Sequence, residues 1–403
     1  MHPTQPTHPT HPTHPAVRPR ATALSERVPA PDLARGALLL FICLANVHHY
    51  LYARPAGVRG YPAAGAMSAL DRVVTVLQTS LADARAFPMF SILVGYGTWQ
   101  LVRRRLGTGT TPPEVRRLLR RRGAALLAVG ALHGVLLFSG DIAATYGLLL
   151  VLLAGTLAAP RARGLVVLAV TGTVLAGAAG LTVALPGAED AAALTSVTQE
   201  TVPAALLTRA VEWGSATLLQ PLLVFGAVAI GALAARRGLL DDPARHRRTL
   251  LAVGAGGVAL SAAGGLPLGL LAAGAWETGT TGTLLAGGLH ALTGYAGGAG
   301  YAALAGFVVV SASRRGGFGA PGRVLVALGR RSLSGYLGHS VVFAALLPAS
   351  ALGLGAELGV AQAALLAAGT WLLLLLGAAA LERTGGRGPA EVLLRRLTYG
   401  RPR

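Results

Sequence analysis

Lysine is absent from this 403-residue chain: all 35 of its basic residues are arginine. That bias reflects a GC-rich genome rather than a chemistry. Acidic residues number only 16, which leaves a formal net charge of +19. Charged residues make up 13% of the chain, where a soluble domain of this length carries about 25%. An ordinary water-soluble domain is thereby excluded. The single cysteine, Cys43, rules out an intrachain disulfide. The ordinary soluble signatures are missing too: no Walker loop, HExxH, CxxC pair or GxSxG occurs, and no metal site is expected.

Long apolar stretches fill the space that charge leaves. Residues of apolar type make up 53% of the chain, and the 55 glycines suit close helix packing in lipid. About ten stretches approach the ~20 residues that a bilayer requires. They are read at 33–52, 84–102, 123–139, 142–159, 164–185, 213–235, 249–273, 282–310, 332–352 and 358–381. Little more than Gly140-Asp141 separates the third from the fourth, which predicts a helical hairpin. The fold expected is all-α, a polytopic transmembrane helical bundle.

Arginine sets its orientation. Thirty of the 35 arginines fall before the first span or in its first turn, in every second gap and after the last span; the others are Arg54, Arg59, Arg72, Arg85 and Arg209. The positive-inside rule then places both termini in the cytoplasm. Because these arginines border apolar spans, they read as topology determinants and lipid or phosphate partners, not as a nucleic-acid surface. The protein is expected in the plasma membrane, multi-pass, of a bacterium. Residues 1–30 open with HPTQPTHPTHPTHP, a three-residue repeat without apolar content, and read as a disordered tail in which His8, His11 and His14 are incidental. Residues 31–383 form the transmembrane domain and 384–403 a basic cytoplasmic tail. No cleavable signal peptide is evident. The segment MSALDRVVTVLQTSLAD has helical apolar spacing and reads as an interfacial helix.

Ionisable groups in hydrocarbon are costly, so each is a functional candidate. At 100° per residue, Asp32, Arg35, Asn46 and His49 share one stripe of the first span, whereas His48 falls on the other side. His133 lies near mid-membrane in the third span. On a continuous helix Asp141 would stand about 12 Å further along the axis and about 80° away, so the two need not touch. His290, Tyr295 and Tyr301 lie among glycines in the eighth span, where Gly294 and Gly298 form a GxxxG. The ninth opens with Arg330 and Arg331, followed by Ser334, Tyr336 and His339; paired arginines suit phosphates.

Four strings together resemble one family. They are DLARGALLLFICLAN (32–46), FPMFSILVGYG (87–97), GALHGVLLFSGDIAATYGLL (130–149), and LGRRSLSGYLGHS (328–340) joined to GPAEVLLRRLTYG (388–400). In order and spacing the set resembles the YeiB family, domain of unknown function 418. That resemblance implies kinship with membrane-embedded acyltransferases, which move acyl groups from coenzyme A to hydroxyl or amine acceptors and use a membrane histidine. Some such relatives place this histidine eleven residues after the arginine of the opening helix. Here that position is Asn46, as in the heparan-glucosaminide acetyltransferase branch. The ninth-span motif also departs, with Ser334, Gly335, Tyr336 and His339 where members more often show Thr-Asn-Tyr followed by Gln.

The function expected is transfer of an acyl group, such as acetyl, from a cytoplasmic acyl-CoA co-substrate. His49 or His133 would be the base, with Asp141 orienting. Asp32, Arg35, Asn46, Arg330, Arg331, Ser334, Tyr336 and His339 would bind substrate. The alternative is a small-molecule transporter or permease of the inner membrane, although spans one to five do not echo six to ten. The partners expected are membrane lipid and the small-molecule donor and acceptor.

Overall fold

The computed structural model describes residues 29–400 and is all-helical, with no strand among them. The histidine-containing N-terminal repeat lies outside the described residues. Helix α1 (Pro29–Val47) carries Asp32 in its first turn, where a negative charge complements the helix dipole. It passes into a 3₁₀ turn, His48–Tyr50. After a loop comes α2 (Ala69–Leu81), started by a capping box between Ser68 and Asp71. Next are α3 (Ala86–Gly107) and α4 (Pro112–Leu136), the latter begun by a Thr111–Glu114 capping box and a proline at its start.

The fourth span is broken into α5 (Ala143–Leu152) and the single turn α6 (Ala154–Leu157). Helices α7 (Arg163–Gly180), the short α8 (Ala188–Ala192) and the 35-residue α9 (Val202–Arg236) follow. Then come α10 (Arg247–Ala272) and α11 (Thr280–Arg314). The chain ends with α12 (Ala320–Arg330), α13 (Ser332–Leu346), α14 (Val360–Arg383) and α15 (Pro389–Tyr399).

Six of these helices are long and apolar enough to cross a membrane: α1, α7, α9, α10, α11 and α14. Helices α5 and α13 are apolar but shorter. Helices α3 and α4 have the length but carry arginines along one end.

The distribution of side chains is that of a protein in lipid. Large apolar residues such as Leu207, Leu218, Leu365 and Leu376 face outward, while Asp32, Arg85, His133, Asp141, His290, Arg331 and His339 are buried. Helix α2 shows the inversion within 13 residues. Leu70, Val73 and Leu77 are 52–63% exposed, whereas Thr75 and Thr79 are fully buried. Its polar face is packed against α10 and α14 and its apolar face is turned away, an arrangement that only an apolar surround favours.

Glycine lets the central helices touch. A Cβ on Gly95 of α3 or on Gly231 of α9 would collide with the backbone carbonyl of Val228 or Ile92 across the interface. The α11 GxxxG seats the start of α3: Gly294 lies against the Ala84 carbonyl and Gly298 against the Met89 amide.

The arginine-bearing helix ends gather at one end of the bundle. Arg103 of α3 pairs with Asp241 after α9 at 2.7 Å. Arg236 of α9 reaches the Pro160 carbonyl, and Arg121 of α4 reaches the Leu397 carbonyl of α15. The C-terminal basic segment is in large part a helix docked on α4 and α13.

Candidate functional site

Helix α4 does not run straight on to Asp141. It stops at Leu136, and the Leu137 and Phe138 amides both bond back to the His133 carbonyl. The chain then turns through Ser139-Gly140-Asp141 into α5. This reversal folds Asp141 back onto the helix it has just left. His133 Nδ1 and Asp141 Oδ1 are 2.7 Å apart, and both side chains are buried. The 12 Å spacing expected for a continuous helix is thus replaced by direct contact.

Three donors converge on the Asp141 carboxylate. The Ala144 N–H donates to Oδ2 at 2.6 Å, His133 Nδ1–H to Oδ1, and the Tyr336 hydroxyl to Oδ1 at 3.2 Å. Tyr336 in turn accepts the Ile142 N–H at 3.0 Å. A carboxylate only accepts, so Nδ1 of His133 carries a hydrogen, and in the neutral ring Nε2 presents a lone pair. That Nε2 is buried and has no hydrogen-bond partner among the described residues.

Helix α13 brings the next histidine. The Tyr336 ring lies 4.8 Å from the His133 ring and 5.4 Å from the His339 ring. His339 Nε2 stands 3.3 Å from Asn46 Nδ2 of α1 and 3.3 Å from Ser340 Oγ. Asn46, His133, Asp141, Tyr336 and His339, expected on three different spans or their connecting turn, therefore form one constellation, buried except for the half-buried Asn46.

The other expected residues fall in two further places. Arg35 bonds Asp32 at 3.0 Å and the Leu93 carbonyl at 3.3 Å. Arg330 and Arg331 each hold an oxygen of Glu382 at 2.6 Å, and Arg331 also holds the Ala327 and Gly386 carbonyls. Ser334 donates to Glu391 Oε2 at 2.5 Å, while the Leu333 and Ser334 amides donate to Oε1. These form a charged knot at the arginine-rich end, around the start of α13, which lies about 10 Å along that helix from His339. His49 lies elsewhere again, in the 3₁₀ turn beyond α1, its ring 4.1 Å from that of His48. The stripe drawn along the first span is thus shared among three environments.

Glu212, Glu382 and Glu391 were not singled out from sequence. Glu212 accepts Ser139 Oγ at 2.7 Å together with the Ser196 hydroxyl and amide, and so pins the turn that carries Asp141. The spacing of these residues gives no signal of their pairing, since each contact spans loops or distant helices.

A sequence profile described as protein of unknown function (DUF418) matches residues 234–401. Over that stretch the chain is similar to the DUF418 family. Tyr336, His339 and the Arg330–Arg331–Ser334 group lie inside the DUF418 match, whereas Asn46, His133 and Asp141 lie in the part of the chain before it. No curated protein matches the chain.

Proposed function

We propose that this protein is a membrane-embedded acyltransferase with His133 as its general base. The observation that carries the reading is the 2.7 Å His133–Asp141 contact, with Nε2 buried and unpartnered on the far side of the ring. An imidazole oriented by a carboxylate at one nitrogen is a base at the other.

In the reaction, His133 Nε2 takes the proton of an acceptor hydroxyl or amine as that atom attacks the thioester carbonyl of an acyl-CoA. The tetrahedral intermediate collapses by breaking the carbon–sulfur bond. The leaving thiolate takes the proton back from the imidazolium, giving ester or amide and free thiol. Asp141 holds the ring and offsets its transient charge, and Tyr336 holds Asp141. Asn46 and His339 line the same buried site and orient the reactants.

The donor's phosphates would approach the arginine-rich end, which the positive-inside rule assigns to the cytoplasm of a bacterial cell membrane. Arg35, Arg330 and Arg331 stand there beside the carboxylates of Asp32 and Glu382. A phosphate would have to share them with these partners.

The test is release of free thiol from acetyl-CoA by the full chain in lipid nanodiscs, with and without candidate acceptors. His133→Ala, with folding checked, is expected to lose about 10²–10⁴-fold in turnover. Undiminished release would overturn the reading. Solute uptake into proteoliposomes without thiol release would favour a permease instead.

A further inference from the structure

The polar cluster around Asp83 has no part in the proposed reaction. Asp83 is buried in the turn between α2 and α3. Its Oδ2 accepts the Tyr61 hydroxyl at 2.9 Å, and its Oδ1 has no partner among the described residues. The Tyr61 ring stacks on His48 at 4.0 Å, within 5° of parallel, and His48 lies against His49. His48 Nε2 is 3.3 Å from the Arg59 carbonyl, so Nε2 carries the hydrogen and Nδ1 a lone pair. Nδ1 of His48 and Nδ1 of His49 are both buried without a hydrogen-bond partner among the described residues.

The backbone here is held in unusual conformations. Arg59 has φ 60° and Ala84, next to Asp83, has φ 55°, the left-handed region that non-glycine residues rarely adopt. Such conformations persist where surrounding contacts enforce them, and they collect at functional sites.

The chemistry of the unpartnered atoms selects the ligand. A carboxylate oxygen and imidazole lone pairs dominate, against one guanidinium donor, Arg59 Nε. These disfavour an anion. A metal cation is disfavoured by buried Arg85, whose guanidinium lies on the Asp83 carbonyl at 2.6 Å, on Ser261 and on His290. The described residues also hold no group of three side chains that suits a metal. A proton escapes the need for a coordination shell, and burial favours it where Arg59 and Arg85 oppose it. It adds to a single oxygen or nitrogen, needs no coordination shell, and leaves Asp83 as a neutral acid beside the two arginines.

We propose that Asp83, with His49 and His48 beside it, is a proton-binding site at the end of the bundle opposite the arginine-rich end. It exchanges protons with the solution on that side through the 51–67 loop and α8, which meet where Gly60 approaches the Ala192 carbonyl. Binding transfers one proton from water to the carboxylate, and release returns it. Burial pushes the Asp83 carboxyl up from its ordinary range, against the pull of Arg59, the Tyr61 hydrogen bond, His49 and Arg85. The groups facing Asp83 are His48 and His49 from the end of α1, Arg59 and Tyr61 from the loop, and Arg85 from the start of α3. Behind Arg85 stand Ser261 of α10 and His290 of α11.

Infrared difference spectra of the full chain in nanodiscs, recorded as pH is stepped, test this without reference to acyl transfer. As pH falls, a carboxylic-acid carbonyl band is expected to grow reversibly, to shift in heavy water, and to vanish from the spectrum of Asp83→Asn. Tyr61→Phe removes a donor to the carboxylate and should raise the midpoint by about one pH unit or more. Asp141→Asn should leave the band in place. A band that survives in Asp83→Asn overturns the proposal, as does a spectrum with no pH-dependent acid band. Should Asp83→Asn fail to fold, a Tyr61→Phe midpoint equal to that of the wild type overturns it.

Discussion

Gly130 and the Asp141 carboxylate occupy adjoining space: a Cβ on Gly130 would fall well inside contact distance of Asp141 Oδ2 and of the Ala144 amide, and 2.7 Å from the Ala144 Cα. Gly130 is three residues before His133, on nearly the same face of α4. The absent side chain is therefore what lets the turn close onto the histidine. Gly130→Ala is expected to push Asp141 off His133. Thiol release should fall by at least tenfold, and stability should drop by about 1–3 kcal/mol, the usual cost of overpacking. Thermal unfolding in detergent and a turnover assay on the same preparation check both.

Tyr336 is bound on two sides, donating to Asp141 and accepting from Ile142. Tyr336→Phe keeps the ring against His133 but leaves the Ile142 N–H without its acceptor. An unpaired buried group costs about 1–3 kcal/mol. The carboxylate keeps its His133 and Ala144 donors, so the base remains in place. A loss of about tenfold in turnover is expected, well short of the loss in His133→Ala. Equal losses in the two variants would mean that Tyr336 acts on the reactants directly.

The bundle was legible in the sequence because hydropathy reports which helices are apolar over a membrane-spanning length, and six of them are. The start of α9 was not. Arg209 and Glu212 interrupt its apolar pattern, yet Arg209 is satisfied by the Leu136 carbonyl and Glu212 by Ser139 and Ser196. A charge paired inside the protein looks, in sequence, like a charge in water. The expected span at 213–235 thus began 11 residues late, against the observed Val202. The candidate site was legible as residue types but not as partners. Helical phase set His133 and Asp141 apart because it assumed one continuous helix, and the turn after Leu136 breaks that assumption. Phase likewise carried His49 onto the Asn46 stripe, although α1 ends at Val47. The reading of 67–83 as an interfacial helix found the helix, observed at Ala69–Leu81, but not its polar inward face.

That inward face gives a test of the lipid surround. Spin labels placed by Leu70→Cys, Val73→Cys and Leu77→Cys should be accessible to oxygen and shielded from a water-soluble nickel chelate. The native Cys43 is fully buried and should stay silent. Leu77→Arg should destabilise the inserted protein by up to about 3 kcal/mol, whereas a helix lying exposed to water would tolerate it. High accessibility to the nickel chelate at all three positions would place α2 outside the hydrocarbon.

Asp241 offers the clearest separation of buried from exposed electrostatics. It follows α9 and receives three donors from one face of α3: Tyr96 at 3.0 Å, Gln100 at 2.6 Å and Arg103 at 2.7 Å. Tyr96 is fully buried and also accepts the Leu240 N–H, whereas the Arg103 side chain is 54% exposed. The ion pair with Arg103 should therefore contribute about 0–1 kcal/mol, because solvent screens it. The Tyr96 bond should contribute more, since removing Asp241 leaves the donor hydrogen of a buried hydroxyl without its acceptor, at about 1–3 kcal/mol. Two double-mutant cycles decide this: Asp241→Ala with Tyr96→Phe, and Asp241→Ala with Arg103→Gln. The first coupling energy is expected to exceed the second, and raised salt should shrink only the second. The reverse order would mean that the arginine, and not the buried tyrosine, anchors the α9–α10 connection to α3.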